Sequence, residues 1–508
     1  MNIFDALENT KNHFPDKEAI LFGGESITYH DLHARSCRLS SVLKEVGDLQ
    51  PGDRVALFLP NKPDFIVSYY AVVRLGAIAV SLNVMLKPEE MKVILQDCAA
   101  KLLITTNQLL DQVPVAREIP SVKKILCADK SEHAGVLELD RLSTLSDAKT
   151  ADLGQEEGAA ILYTSGTTGK PKGVLLSHGN LISNVSATIH HTKMSAEDRL
   201  TCYLPLFHCF GQNFIMNSSV KSGATLILHE RFHPDEILDS IKANRISMFF
   251  GVPVVYSRLL AVPKIEEYFR NVRYCFTAAA QMPMTVAREW REKVGKIIYE
   301  GYGLTETSPF ASYNHDSLYR DGSIGTPVAK VEIKIIDAEG RALPAGEIGE
   351  IAVKGPNVMQ GYFRQPKETA EVIRDGWFLT GDIGKMDDDG YIYLVDRAKD
   401  MINVSGFKVW PREVEEVLLQ HPSLAEVAVV GIEDSESGEA VKAFAVLKLG
   451  EVMNERDLID FGRSRMAVYK APRFVEFIDA LPKNPTGKIL KRELKAKAQN
   501  KGTASRAA

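Results

Sequence analysis

Short apolar runs alternate with helix-like stretches over residues 55–276, and this alternation constrains the fold more than any other feature of the chain. Residues 55–59 (VALFL) read as a buried strand. A helix-like run over 63–75 follows Pro60 and Asn61 and stops at Gly76, and residues 77–81 (AIAVS) form the next strand. That is a strand–helix–strand unit of about 30 residues. The pattern returns at 102–105 (LLIT), 123–127 (KKILC), 225–228 (TLIL), 247–250 (SMFF) and 273–276 (RYCF). Apolar strands separated by helices belong in parallel sheets covered by helices. A chain of 508 residues exceeds what one compact core holds, so two or more domains are expected.

The texture changes after residue 325. VEIKIID, GEIGEIAVKG and GYIYLVDR alternate apolar and polar residues between Gly or Asp-Gly turns. This predicts antiparallel structure, a small β-barrel over 325–396. The run DDDG at 387–390 lacks the spacing and the closing Glu of a calcium loop, so a plain β-turn is expected. A further unit starts near residue 400. It should hold a helix over 411–420 that opens on Pro411, strands at 425–431 and 441–448, and a helix near 455–466. Residues 483–497 carry six Lys/Arg against one Glu, and the tail over 496–508 is expected to be disordered.

Several function classes are disfavoured. Apolar residues at 45 % and charged residues at 25 % match an ordinary soluble globular protein. The net charge of −5 offers no general attraction to nucleic acid or anionic membrane. The six cysteines (37, 98, 127, 202, 209, 275) form no CxxC pair, which argues against a zinc site or disulfide framework and fits a cytoplasmic setting. No basic segment followed by an apolar core opens the chain, so no signal peptide is expected. The apolar stretch over 64–83 is cut by Asp64, Arg74 and Asn83 and falls short of the about 20 apolar residues a bilayer span requires.

The segment 163–173, YTSGTTGKPKG, packs four Thr/Ser hydroxyls, three glycines and two lysines between the apolar run 159–163 and a helix start at SHGNL. Strand, small-residue loop and helix make an anion cradle: glycines let backbone N–H groups converge, hydroxyls add donors and lysines add charge. A Walker loop requires glycine where Thr164 stands, and Ser or Thr where Pro171 stands. A P-loop NTPase is therefore disfavoured.

The loop TSGTTGKPKG resembles the phosphate loop of the adenylate-forming superfamily, which includes acyl-CoA synthetases, peptide-synthetase adenylation domains and luciferases. PLFHCFG (205–211), EGYGLTET (300–307), GWFLTGD (376–382), YLVDRAKDMINVSGFKV (393–409) and NPTGKILKREL (484–494) follow in the superfamily's order. The resemblance spans nearly the whole chain and is nearest to bacterial medium- and long-chain fatty acyl-CoA synthetases. It implies an α/β fold with a large N-terminal domain (1–396) of two α/β subdomains plus the β-barrel. A small mobile α+β cap (397–508) would follow, turning about a hinge at Lys399.

The resemblance also implies roles. Thr164, Ser165, Gly166, Thr167, Thr168, Gly169 and Lys172 would hold the β- and γ-phosphates of ATP. Tyr302, beside Gly303, would stack on adenine. Thr305 would donate to the α-phosphate, and Glu306 would bind Mg²⁺. Asp382 would accept the ribose hydroxyls, with Arg397 assisting. His208 would position the acid's carboxylate, and Lys488 would stabilise charge during adenylation. After cap rotation Gly406 would line the tunnel for a pantetheine thiol.

The acyl pocket implied by the resemblance falls on Gln212, Asn213 and Met216, on Gly251 and Val252, and on Ala278, Ala279 and Ala280. Small and apolar residues there suit an alkyl chain, and no Lys or Arg in 212–217, 251–256 or 277–282 offers a partner for a second carboxylate. Gln212, Asn213 and Asn217 turned inward would favour a shorter or functionalised acid. Gln281 stands where relatives often carry Pro. The expected activity is ATP-dependent ligation of a medium- or long-chain fatty acid to coenzyme A. An acyl carrier protein presents the same phosphopantetheine arm and stays open as acceptor, as do an aryl-acid CoA ligase, a luciferase-like oxygenase and a homodimer. An amino-acid adenylation module is disfavoured because Phe and Gly occupy FFGVP where such modules place an Asp. A nucleotide-binding relative without activity is disfavoured because Glu306, Asp382, Arg397 and Lys488 are all present.

Overall fold

The structure is a computed structural model that describes residues 1–504 apart from 115, 132, 134, 140–147, 166–170, 316–317, 435–436 and 485–486. Two large sheets dominate. One has the strand order 361–362, 171–177, 158–165, 78–81, 54–58, 102–105, 124–127 and 136–138. It is parallel from Gly158–Ser165 onward, with antiparallel Pro171–Ser177 and Gly361–Tyr362 added at one edge. The other is parallel through Glu18–Phe22, Thr225–Leu228, Arg199–Cys202, Met248–Gly251, Tyr274–Thr277 and Ile298–Gly303. Antiparallel strands flank it on both sides. The strands expected from the apolar runs are all present within a residue or two.

Local chemistry explains the crossovers. Helices Pro63–Arg74, Pro88–Cys98, Pro234–Ala243 and Pro253–Leu260 each open on proline, where the missing N–H costs no hydrogen bond. His178–Thr192 opens on a reciprocal cap between Ser177 and Asn180. One buried apolar cluster joins both sheets, drawing on Val55, Ala79 and Leu162 from the first and Leu200, Phe249 and Phe276 from the second. The stretch over 64–83 is a helix and a strand inside this core, and no described helix is long and apolar enough to cross a membrane.

Between residues 325 and 397 the ladders are antiparallel, as expected: Glu332–Ile336 on Gly349–Lys354, then Trp377–Met386, which pairs with both Ile373–Arg374 and Ile392–Arg397. Among the described residues no ladder returns to Glu332–Ile336, so the expected barrel is an open five-stranded sheet. Asp387–Gly390 is a β-turn, with Arg320 bridging Asp387 at 2.6 Å and Asp389 at 2.5 Å.

From Ile402 the chain builds separate apolar clusters on the two faces of a sheet formed by 402–404, 407–409, 424–434, 438–447 and 474–477. The larger clusters contain no buried residue beyond Ile392. A single turn, Ala398–Asp400, connects the two regions. The tail corrects an expectation over 496–504: Lys491–Ala504 is helical, because Leu494 and Ala498 pack on Val430 and Phe444 of that sheet, and 505–508 lie outside the described residues.

Candidate functional site

Ligand sites in parallel α/β sheets form at the carboxyl ends of the strands. Here strands Tyr274–Thr277 and Ile298–Gly303 end at a cavity of about 320 Å³, lined by Ala279, Ala280, Tyr302, Asp382, Arg397 and Lys488 among others. The Tyr302 hydroxyl donates to Asp382 Oδ2 at 2.8 Å, and Arg397 Nε lies 3.1 Å from Oδ1. Asp382 is only 4 % exposed, and a carboxylate so placed requires such partners. Burial, then the Asp382 charge, holds the Tyr302 phenol well above its usual pKa, so it stays a neutral donor. Glycine is obligatory at 303: a Cβ there would lie 1.5 Å from Pro309 O.

Lys488 reaches this cavity from the C-terminal unit. Its backbone N–H donates to Asn484 Oδ1 at 2.8 Å, and its carbonyl accepts from Asn484 N at 2.9 Å, closing a tight turn. The adjacent Gly487 (φ +80°) rests on the other side: a Cβ would sit 3.2 Å from Val252 Cγ2 and 3.4 Å from Val254 Cγ1. Burial, reinforced by Arg397, lowers the Lys488 pKa to about 8, with Asp382 opposing. Lys399, in the connecting turn, adds to the lowering.

Glu306 lies in the one-turn segment Thr305–Thr307 and is 8 % exposed. Burial raises its pKa above the usual carboxylate value. The Tyr362 hydroxyl donates to Glu306 Oε1 at 3.1 Å. The Tyr362 ring carries the Lys172 ammonium 4.8 Å from its centroid. Lys172 pairs with Thr164 across the strands that hold the loop ends, and Ser165 closes the first strand. Tyr362 therefore ties the loop to Glu306. Gly166, Thr167, Thr168 and Gly169 lie outside the described residues.

His208 precedes a π-helix, Phe210–Asn217. Its Nδ1 accepts from Phe210 N–H at 3.2 Å, which leaves Nε2–H as a donor. Burial, then the Lys488 charge, lowers its pKa to about 4, so it is neutral at pH 7. The amide nitrogens of the next residues bond within the core, while Gln212 Oε1 is buried with no hydrogen-bond partner among the described residues. Gln212 Nε2 donates to Ser81 Oγ at 2.7 Å, Asn213 Nδ2 to Ser308 O at 2.6 Å, and Asn217 Nδ2 to Tyr69 at 3.1 Å. Met216 is fully buried in the core. Phe214 stacks on Phe276 with centroids 4.6 Å apart.

The structure thus brings Tyr302, Asp382, Arg397 and Lys488 to one cavity, with His208 and Glu306 in electrostatic reach. Ala279 and Ala280 line that same cavity beside Tyr302, while Ala278 packs against the core. Gly251 leaves room for Tyr203: a Cβ would lie 2.9 Å from its hydroxyl. Gly406 (φ +89°) sits in an exposed turn and does not line the cavity. Sequence reasoning assigned no role to Tyr362 or Glu300. Glu300 belongs to EGYGLTET, but Tyr362 carries no motif of its own.

The chain matches the AMP-binding enzyme family over residues 7–363 and the AMP-binding enzyme C-terminal domain over 413–488. A long-chain-fatty-acid–CoA ligase of Bacillus subtilis is 38 % identical over 522 residues, covering 96 % of this chain and 93 % of that one. A feruloyl-CoA synthase of an Amycolatopsis species is 35 % identical over 486 residues, covering 95 % and 96 %. The crystal structure of ATP-bound MatB from Rhodopseudomonas palustris superposes with a TM-score of 0.90 at 32 % identity, covering 98 % and 99 %. With both family regions in order and relatives matched end to end, the chain belongs to the AMP-binding, adenylate-forming acyl-CoA ligases.

Proposed function

We propose that the protein activates a medium- or long-chain fatty acid with ATP. An acyl-adenylate forms, and the acyl group passes to the thiol of coenzyme A with release of AMP and pyrophosphate. The observation that carries this reading is the shared cavity of Tyr302, Asp382, Arg397 and Lys488, which offers a base-stacking face, an acceptor and two cations. The fatty-acid assignment draws on the Bacillus relative and on pocket segments without Lys or Arg.

In this reading Tyr302 stacks on adenine and Asp382 accepts the ribose hydroxyls, while Arg397 holds the Asp382 carboxylate in place. Thr164, Ser165, the 166–169 loop and Lys172 hold the outer phosphates, and Thr305 donates to the α-phosphate. Lys488 faces the charge that grows as carboxylate attacks phosphorus. His208, neutral, donates through Nε2 to orient the acid. Glu306 suits Mg²⁺: a buried carboxylate held by one hydroxyl fits a hard cation. That ion, when bound, neutralises the phosphates. The unit 397–508 then turns about Lys399, withdraws Lys488 and brings Gly406 to the site for the thiol.

An aryl acid is the second reading, supported by the feruloyl-CoA synthase match. Incubation with ATP, Mg²⁺, coenzyme A and acids from acetate through C6 and C16 to coumarate, read by mass spectrometry, decides. Acyl-CoA at C6–C16 supports the fatty-acid reading, and coumaroyl-CoA alone overturns it. Adenylate without acyl-CoA would move the acceptor to an acyl carrier protein.

A further inference from the structure

We propose that Asp396 is a latch between the two units: it holds the C-terminal unit with Lys488 in the cavity, and its strength sets the balance between adenylation and acyl transfer. The inference rests on the ligase reading and the rotation about Lys399, and adds a positioning residue to them. Asp396 is the next-to-last residue of strand Ile392–Arg397, three residues before Lys399, and is only 8 % exposed. Its Oδ1 accepts from Arg397 N–H at 2.7 Å. Its Oδ2 accepts from Arg412 N–H at 2.9 Å, and Arg412 lies in the first turn of helix Pro411–Leu418, beyond the connecting turn Ala398–Asp400. Among the described residues this is the only hydrogen bond or ion pair that joins the chain before that turn to the chain after it.

The helix needs an acceptor at this point. The first N–H groups of a helix have no partner inside it. Trp410, at the N-cap, makes no side-chain capping bond, and Pro411 has no N–H to satisfy. Arg412 N–H is therefore the first donor of the helix, and the other unit supplies its acceptor. A carboxylate there also meets the positive end of the helix dipole. A second charge of the C-terminal unit faces Asp396: burial would lower the Lys491 pKa, yet Glu415, at 2.8 Å, and Asp396 hold it above the usual lysine value. Rotation about Lys399 must part Asp396 from this helix. A contact made in one arrangement only shifts the equilibrium between the two by its own worth. Here the favoured arrangement is the one that keeps Lys488 in the cavity.

The test measures the two half-reactions separately in the full-length wild type, Asp396→Ala and Asp396→Asn. Adenylation is read as single-turnover pyrophosphate release from ATP, Mg²⁺ and hexanoate or palmitate. Transfer is read as acyl-CoA formed from the matching supplied acyl-adenylate and coenzyme A. Each rate follows the population of its own arrangement, so their ratio follows the equilibrium between the two. In Asp396→Ala the ratio of transfer to adenylation should rise about five- to thirtyfold, the worth of a lost helix cap. Asp396→Asn keeps an oxygen acceptor without the charge and should show a smaller rise, which also covers the case of an alanine variant that fails to fold. A merely structural role would lower both rates together. An unchanged ratio in both variants, or a fall, would overturn the latch and leave the ligase reading standing. A wild type that forms neither adenylate nor acyl-CoA with any acid would overturn the ligase reading and this one with it.

Discussion

Asp382 and Arg397 face each other across two antiparallel strands, with Arg397 Nε 3.1 Å from Asp382 Oδ1, and the chain leaves for the C-terminal unit directly after Arg397. Asp382 also takes the Tyr302 hydroxyl and raises the Lys488 pKa. One carboxylate thus organises the aromatic face and both cations. Asp382→Asn keeps the shape and removes the charge. We expect KM for ATP to rise at least about tenfold, the size of losing one charge-assisted contact. The alkaline limit of activity should also move to lower pH, because Lys488 loses its counter-charge. An unchanged pH profile would separate Asp382 from Lys488.

Lys488 titrates near pH 8, below the usual lysine value, because its charge is buried. The charged form is required for adenylation and is present below that pH. The kcat/KM for adenylate formation, which reports the free enzyme, should therefore fall as pH rises through about 8. Lys488→Ala should abolish adenylate formation at every pH and spare thioesterification of supplied acyl-adenylate. Equal loss of both half-reactions would count against the role. Stopped reactions with each substrate pair, read by chromatography, distinguish the outcomes.

Tyr362→Phe removes one hydroxyl and keeps the ring under Lys172. Glu306 then loses the donor that orients it. A single positioning bond of this kind is worth about 1–2 kcal/mol, so half-maximal activation by Mg²⁺ should need about five- to thirtyfold more ion. KM for the acid should not change. Titration of activity with Mg²⁺ at saturating ATP reads this directly.

The amides on the π-helix behave as structure. Asn217 bonds Tyr69, Tyr70 and Asn213, and Asn213 bonds Ser308 O. Asn217→Ala leaves buried hydroxyls without partners, which costs about 1–3 kcal/mol for such a group. Thermal melting should drop, while the ratio of rates across the acid panel stays as in the wild type. A shifted acid preference would return Asn217 to the substrate pocket.

The alternating sheet was legible because strands such as 55–59 and 102–105 are apolar on both faces, so their pattern survives any tertiary context. Tyr302, Asp382, Arg397 and Lys488 were legible through their motifs, since each sits at a strand end or in a turn whose local sequence is distinctive. Tyr362 was not: its two-residue strand owes its place to pairing with Val174 and Leu175, nearly 190 residues earlier. The amides of 212–217 were ambiguous for a similar reason. Polarity in 212–217 signals either a ligand or a buried network, and only Ser81, Tyr69 and Ser308, all distant in sequence, decide which. The tail failed on composition over 496–504: its charge hid Ala498, which with Leu494 just before it fixes the helix.

Gly406 tests the second half of the proposed cycle. Its φ of +89° lies where side chains are strained, yet no atom stands within 4 Å of a built Cβ. Space in this arrangement of the chain therefore does not demand glycine there, and backbone strain of about 1–2 kcal/mol is the expected structural cost of a side chain. If the turn closes on a pantetheine arm after rotation about Lys399, Gly406→Leu should block acyl transfer while adenylate formation continues. Acyl-adenylate should then accumulate in the presence of coenzyme A. Gly406→Ala carries the same backbone strain with little bulk and should transfer at an intermediate rate, which separates steric obstruction from distortion of the turn. Normal transfer in Gly406→Leu would remove the turn from the thiol path.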